Sequence, residues 1–287
     1  MSEADEPVHD HLVDSAALRP DGRVADLGCG RGPTLAAFAR RFPGARLIGL
    51  DRSAAAVGAA RELLADHPGG AAVAVADLSG RLPLPDGSVD AVVSYNVLEC
   101  LPDPAAFLVE AARVLRPDGR AVVAHVDFDS LVVAGAGREL DRRICHAFTD
   151  DRQPWTDHAD GRIGRKLPGL VKSSRLSLER AHPWVTSSTE PSGHAARRID
   201  GMRRALTSAA SQGRGAVSLA EVEAWHDAIR LAADRGRFFL AETAVVVTAR
   251  RRAPSRPRTD DGSETALDAR TPTRLRGPHG RDGTIGP

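Results

Sequence analysis

A chain of 287 residues with 42% hydrophobic and 27% charged residues has the length and apolar content of one soluble domain with additions, and is no coreless short module. Its 39 Lys and Arg against 38 Asp and Glu leave a formal charge of +1, so no global field draws it toward nucleic acid or an anionic membrane. Aromatics at 4% are too few for a base-stacking platform, and no apolar run reaches the length of a membrane span.

The amino terminus, MSEADEPVHD, is acidic and lacks the apolar stretch of a signal peptide. Cys29, Cys100 and Cys145 are odd in number and far apart, which fits neither a disulfide framework nor a paired-cysteine metal site, so the expected home is the cytoplasm. From residue 23 to 128, short apolar β-prone runs alternate with longer amphipathic ones, the pattern of βαβ units around a parallel sheet. Strands are expected at 24–27, 45–51, 71–77, 89–95 and 120–128, apolar throughout because helices cover both sheet faces. Pro33, Ser53 and the pair Asp103–Pro104 mark helix starts between them. Beyond Phe128 the spacing predicts helices near 138–148 and 163–171, a strand near 176–185, helices near 193–211 and 218–235, and a last strand at 238–249. The domain expected from this is α/β, Rossmann-like, with a mostly parallel seven-stranded sheet and an antiparallel carboxyl-terminal strand. It would occupy 23–249, behind a lid segment at 1–22, with helical cap insertions at about 129–172 and 190–236. The stretch 250–287 carries nine Arg, five acids, five Pro and five Gly with few large aliphatics, and reads as a disordered tail.

The segment VADLGCGRG, residues 24–32, runs from a strand through a glycine-rich turn into a helix, and Gly28, Gly30 and Gly32 allow close backbone approach to a ligand. Its spacing is GxGxG, unlike the GxGxxG of dinucleotide binders. Acids stand at successive strand ends, Asp26, Asp51 and Asp77, where open parallel sheets bind ligands. A carboxylate at Asp51 can accept from both hydroxyls of a ribose and would repel a 2′-phosphate.

Taken together, VADLGCGRG, IGLDRS, VADLSG, DAVVSYNVLECLPD and LRPDGR, in this order, resemble the class I S-adenosylmethionine-dependent methyltransferases over about residues 20–128. The resemblance implies S-adenosyl-L-methionine as cofactor. Gly28, Cys29 and Gly30 would lie against its amino-acid end, with Asp26 orienting the loop or the ammonium. Asp51, with Arg52 beside it, would hold the ribose, Asp77 and Leu78 would contact the adenine, and Ser94, Tyr95 and Asn96 would border the sulfonium. Similar sequences commonly carry His where Cys100 stands, so that position supplies no base here.

A base for the acceptor is sought where strands 4 and 5 end. HVDFD sets His125, Asp127 and Asp129 on one strand face, which suits a base with an orienting carboxylate, and equally a buried histidine followed by two helix-capping acids. No metal is expected there, because the trio lacks a fourth ligand. Tyr95 is a further catalytic candidate, as a donor to an acceptor oxygen. His11, Trp155, His158, His182, Trp184 and His194 are possible walls of an acceptor pocket, and Trp225 reads as helix core. Residues 146–170 loosely resemble the segment after strand 5 of some bacterial small-molecule methyltransferases. The expected function is methyl transfer to a small-molecule acceptor in bacterial secondary metabolism, without nucleic-acid or membrane partners. The alternatives are an RNA or protein methyltransferase and a non-catalytic cofactor-binding protein.

Overall fold

Each apolar run of the sequence becomes a strand of one seven-stranded sheet. A computed structural model describes residues 7–151 and 160–252. The strands are β1 (Arg23–Leu27), β2 (Arg46–Asp51), β3 (Ala71–Val75), β4 (Val89–Tyr95), β5 (Leu115–Ala134), β6 (Leu176–Ser188) and β7 (Phe239–Arg251). They pair in the order β3-β2-β1-β4-β5-β7-β6, parallel from β3 to β5 and antiparallel on both sides of β7. The strand order reverses between β1 and β4, which opens a crevice above their carboxyl ends.

Two core layers follow from the alternation of side chains along apolar strands. On one face, Ala25, Leu27, Ala121 and Val123 pack against α4 (Pro104–Val114) and α6 (Ile163–Lys172). On the other, Val24, Leu47, Val93 and Val122 pack against α1 (Pro7–Ala16), α2 (Pro33–Arg41) and α3 (Ala54–Leu63). A third cluster, centred on Trp225, joins the distal ends of β5 and β7 to α5 (Arg138–Asp150), α7 (Gly193–Ser211) and α8 (Leu219–Asp234). Trp225 is fully buried, and its indole N–H donates to Asp141 at 3.1 Å.

The start signals act as read. Pro33 opens α2 behind Gly32, the Ser53 hydroxyl accepts from the Ala56 amide, and Asp103 accepts from the Ala105 and Ala106 amides.

Three boundaries differ from the sequence reading. β5 is longer than 120–128 at both ends, because register shifts against β4 and between Asp127 and Val132 absorb the polar residues that looked like terminators. Residues 129–134 are therefore strand, and α5 is preceded by Gly137 while Asp141 accepts from the Gly135 and Ala136 amides. β7 also continues through Arg250 and Arg251, which places the first residues of the expected tail in the sheet. Residues 253–287, with most of that tail, lie outside the described residues, as do Trp155 and His158.

Candidate active site

The glycine turn after β1 sets the floor of the crevice. Gly28, Gly30 and Gly32 all have positive φ, at 87°, 52° and 90°, and the Gly28 and Cys29 amides donate to the Leu50 carbonyl at 2.7 and 3.1 Å. A Cβ on Gly28 would sit 2.1 Å from Val97 Cγ2, whereas one on Gly30 would meet nothing within 4 Å and project into open space. Asp51 at the end of β2 braces the turn, accepting from the Gly30 amide at 2.9 Å and the Ser53 amide at 2.8 Å.

Two lobes of the crevice meet at this turn, and both are lined by Gly28, Gly30 and Asn96. One lobe, about 460 Å³, is walled by Asp51, Arg52, Asp77, Leu78 and Ser79 and by Val97 and Cys100. The other, about 290 Å³, is walled by Asp26, Cys29, Arg31, Thr34 and Tyr95, by His9 of α1, and by His194, Arg197 and Arg198 of α7. Asn96 is fixed at the junction with φ 56°, its amide donating to Ala124 O and its side-chain oxygen accepting from Val126 N.

The acids are not equivalent. Asp26 is 2% exposed and its Oδ2 has no hydrogen-bond partner among the described residues; burial, reinforced by the neighbouring Asp51 charge, pushes its carboxyl up to about 8. Asp77 is exposed, and the Ser79 amide and hydroxyl that donate to it hold its carboxyl below the usual range. The Cys29 and Cys100 thiols are raised by burial, Cys100 to about 12, so neither is a thiolate at neutral pH.

Asp26, Gly28, Cys29, Gly30, Asp51, Arg52, Asp77, Leu78 and Tyr95 thus converge on the crevice. Ser94 does not line it: it is fully buried, and its hydroxyl donates to the Leu27 carbonyl at 2.8 Å, bracing the strand that leads into the turn.

The expected base pair is a clearer departure. His125 is 0% exposed on the α6 side of the sheet and lines neither lobe; its Nδ1–H donates to Val126 O at 2.8 Å, and among the described residues Nε2 has no hydrogen-bond partner. Burial pulls its imidazole down to about 4. Asp127 belongs to Arg165, whose Nε and Nη2 donate to it at 2.5 and 2.8 Å, and Arg165 also reaches Asp129 at 3.1 Å. The shared strand face is real, but α6 covers it: at Gly164 an added Cβ would lie 2.8 Å from the His125 carbonyl oxygen and 3.0 Å from Asp127 Cβ. Neither residue reaches the crevice.

Of the other aromatic candidates, His11 stacks on Trp184 at 4.4 Å and meets His182 Nε2 at 2.7 Å, outside both lobes. Among the described residues of that group His194 alone lines a lobe, and it does so with a partner the sequence reading missed. Its Nε2 donates to Glu242 Oε1 at 2.8 Å, while Arg198 grips the same carboxylate through Nε at 2.6 Å and Nη2 at 3.0 Å. Glu242 is 2% exposed; burial would raise its carboxyl, but Arg198 and His194 together pull it down to about 2. The signal was available, since an acid inside the apolar run FLAETAVVV must be paired when buried. His9 completes the wall, its Nδ1 3.0 Å from Thr34 Oγ1 and its ring edge-on to Tyr95, with burial lowering its imidazole to about 4.

Comparison with known proteins matches this architecture. A methyltransferase domain family matches residues 25–123, which contain the lining residues of the larger lobe. A 37.1 kDa protein in transposon TN4556 of Streptomyces fradiae is 35% identical over 239 residues, covering 83% of this chain and 65% of that protein. A trans-aconitate 2-methyltransferase of an Azoarcus species is 40% identical over 108 residues, 38% of this chain and 40% of that enzyme. The chain therefore spans less than two thirds of the length of these curated relatives. Among solved structures, YcgJ of Bacillus subtilis superposes with a TM-score of 0.57 at 17% identity, over 87% of this chain and all of that one, a likeness of fold. A family match laid over the glycine turn and the strand-end acids, on this sheet order, identifies residues 25–123 as a methyltransferase domain.

Proposed function

We propose that the protein transfers a methyl group from S-adenosylmethionine to a small-molecule acceptor, as one step of bacterial secondary metabolism. The observation that carries this reading is the two-lobed crevice hinged on Gly28, Gly30 and Asn96. One lobe offers acids and an apolar wall suited to a nucleoside, and the other offers a small polar chamber of about 290 Å³, the size of a metabolite fragment. The named substrate of the Azoarcus relative, trans-aconitate, is itself a small molecule.

The residues fit the cofactor. The orphaned Oδ2 of Asp26 is an acceptor waiting for a cationic donor, and an ammonium there would return the carboxyl to its charged state. Asp51 spends one lone pair per oxygen on the turn and keeps others for two ribose hydroxyls. Asp77 would accept from the adenine amine while Leu78 lies against the ring. Positive φ and open space at Gly30 leave the backbone bare where the cofactor must pass between lobes. The bound cofactor supplies an electrophilic methyl on a sulfonium. The chain's task is to hold the acceptor atom in line with it and to keep water out. Tyr95 and Asn96, at the end of β4, stand where the lobes join and would border that line.

Titration calorimetry with S-adenosylhomocysteine tests the reading: binding with Kd below about 100 μM is expected. No binding at about 1 mM would sink it. Labelled cofactor incubated with a metabolite extract then identifies the acceptor by its mass.

A further inference from the structure

We propose that the acceptor is an organic anion, and that Arg198 selects it by offering its carboxylate or phosphate the edge of the guanidinium that Glu242 leaves uncovered. This rests on the methyltransferase reading and names the class of its substrate.

The smaller lobe is lined by Arg31, Arg197 and Arg198, and Asp26 is the one acid among its described lining residues. Asp26 takes the cofactor's ammonium in the reading above. Arg31 belongs to the glycine turn and lines the same lobe, so it stands where the carboxylate on the adjoining carbon needs a counter-charge. The Arg198–Glu242 pair is neutral as a whole. What the cofactor adds beyond its balanced amino-acid group is a sulfonium, a positive charge in a small site that must exclude water. A neutral or cationic acceptor would leave that charge uncompensated at low local dielectric, whereas an anion offsets it.

Arg198 is shaped to receive such a group. Glu242 takes its Nε–H at 2.6 Å and an Nη2–H at 3.0 Å, which occupies the side edge of the guanidinium. The N–H bonds of Nη1 and the second of Nη2 form the end edge, where two parallel donors match two oxygens of a carboxylate or phosphate. Nη1 donates to no described residue and is not sealed in the interior, so it opens on the chamber that the side chain lines. A guanidinium only 16% exposed needs an acceptor there.

Its aim is fixed before any ligand arrives. Glu242 is almost wholly buried and also meets His194 at 2.8 Å, and the Phe128 ring lies 4.8 Å from the guanidinium carbon. A side chain already immobilised loses little entropy on gripping a ligand. Glu99, a further acid whose charge reaches Arg198, is raised by its own burial to about 7, so it competes weakly with an anion for that guanidinium.

A metabolite extract divided on an anion exchanger at about pH 8, where carboxylates and phosphates are ionised, tests the class without knowledge of the acceptor. Each pool is incubated with the protein and methyl-labelled S-adenosylmethionine, and labelled product is expected from the retained pool alone. Phosphatase treatment of that pool before the assay abolishes labelling where the charged group is a phosphate monoester and spares it where it is a carboxylate; either result keeps the anion. Arg198→Lys keeps a charge beside Glu242 but lacks the second edge. It is expected to raise KM for the retained acceptor at least about tenfold, with kcat and the affinity for S-adenosylhomocysteine each within about threefold of normal. Should that variant fail to fold, Arg198→Met combined with Glu242→Gln, which leaves no charge of the pair behind, carries the same expectation. Labelling from the unretained pool, an unchanged KM, or a loss of S-adenosylhomocysteine affinity that matches the rise in KM would each overturn the inference, the last by giving Arg198 to the cofactor's own carboxylate. No labelling from either pool by protein that binds S-adenosylhomocysteine overturns it together with the small-molecule acceptor. Failure to bind S-adenosylhomocysteine at all overturns the methyltransferase reading instead.

Discussion

The nucleoside lobe and the acceptor lobe are built on opposite plans. In the first, each polar group comes from a strand end or the turn beside it, and Asp51 and Asp77 keep hydrogen-bonding capacity for a ligand. In the second, α1, the turn after β1, the end of β4 and α7 each contribute, and behind two of its lining residues, His194 and Arg198, the buried Glu242 of β7 is already consumed by them. The first lobe is therefore poised to bind and adds little to stability, while the second is ordered by its own ion pairs. Polar residues of one cavity can thus divide between ligand affinity and fold stability according to whether the protein has already satisfied them.

The sharpest way to break that division is Glu242→Ala. Arg198 would be left without its carboxylate in a largely buried position, and loss of one partner of a buried pair costs about 3 to 5 kcal/mol. Urea unfolding is expected to show that loss while affinity for S-adenosylhomocysteine, measured on the folded fraction, stays within about threefold. A parallel collapse of cofactor affinity would mean that the lobes are one cooperative unit.

His125 tests the same division from the α6 side of the sheet. Its folded pKa, about 4, lies below the ordinary histidine value, so between about pH 6.5 and 4 the unfolded chain binds a proton that the native chain refuses. The stability this contributes is complete above pH 6.5 and is lost as pH falls toward 4, by up to about 3 kcal/mol. His125→Leu removes the orphaned Nε2 and should flatten that acid limb, read from unfolding midpoints between pH 4 and 7, with the slope due to His9 remaining. Full activity in the variant is also expected, since His125 lines neither lobe.

Legibility from sequence follows the same division. The turn at 28–32 and the strand-end acids lie in contiguous motifs, and β4 and α7 run over the residues that periodicity marks out. The expected base was misread because a strand's alternation says which residues share a face, and not which helix covers it; α6 approaches His125 and Asp127 through Gly164. His194 and Glu242 are separated by α7, α8 and their connection, and no local pattern announces that they touch. β5 was cut short because Pro117, Gly119 and Asp129 look like breakers, while a shifted register against β4 passes over the first two and one against β7 passes over Asp129.

Asp51→Ala is the counterpart of the Glu242 change. It removes an acceptor for ribose hydroxyls and the brace on the Gly30 amide, so affinity for S-adenosylhomocysteine is expected to fall by about 1 to 3 kcal/mol, roughly tenfold to a hundredfold. Stability should change by no more than about 1 kcal/mol, because its partners are exposed or ligand-facing amides that water can satisfy. Unchanged affinity would refute the ribose assignment.

The smallest effect is the most selective. Ser218 and Glu221 form a reciprocal capping box at the start of α8, each side chain accepting from the other's backbone amide. α8 presses Trp225 and Ile229 into the third core cluster but sends no residue into either lobe. Ser218→Ala should therefore cost about 1 kcal/mol of stability and leave cofactor affinity unchanged. If affinity falls with stability, α8 is setting the position of α7 and hence of the wall that His194 and Arg198 form, and that lobe is tuned by its packing as well as by its ion pairs. If affinity holds, the Glu242 pair alone sets that wall.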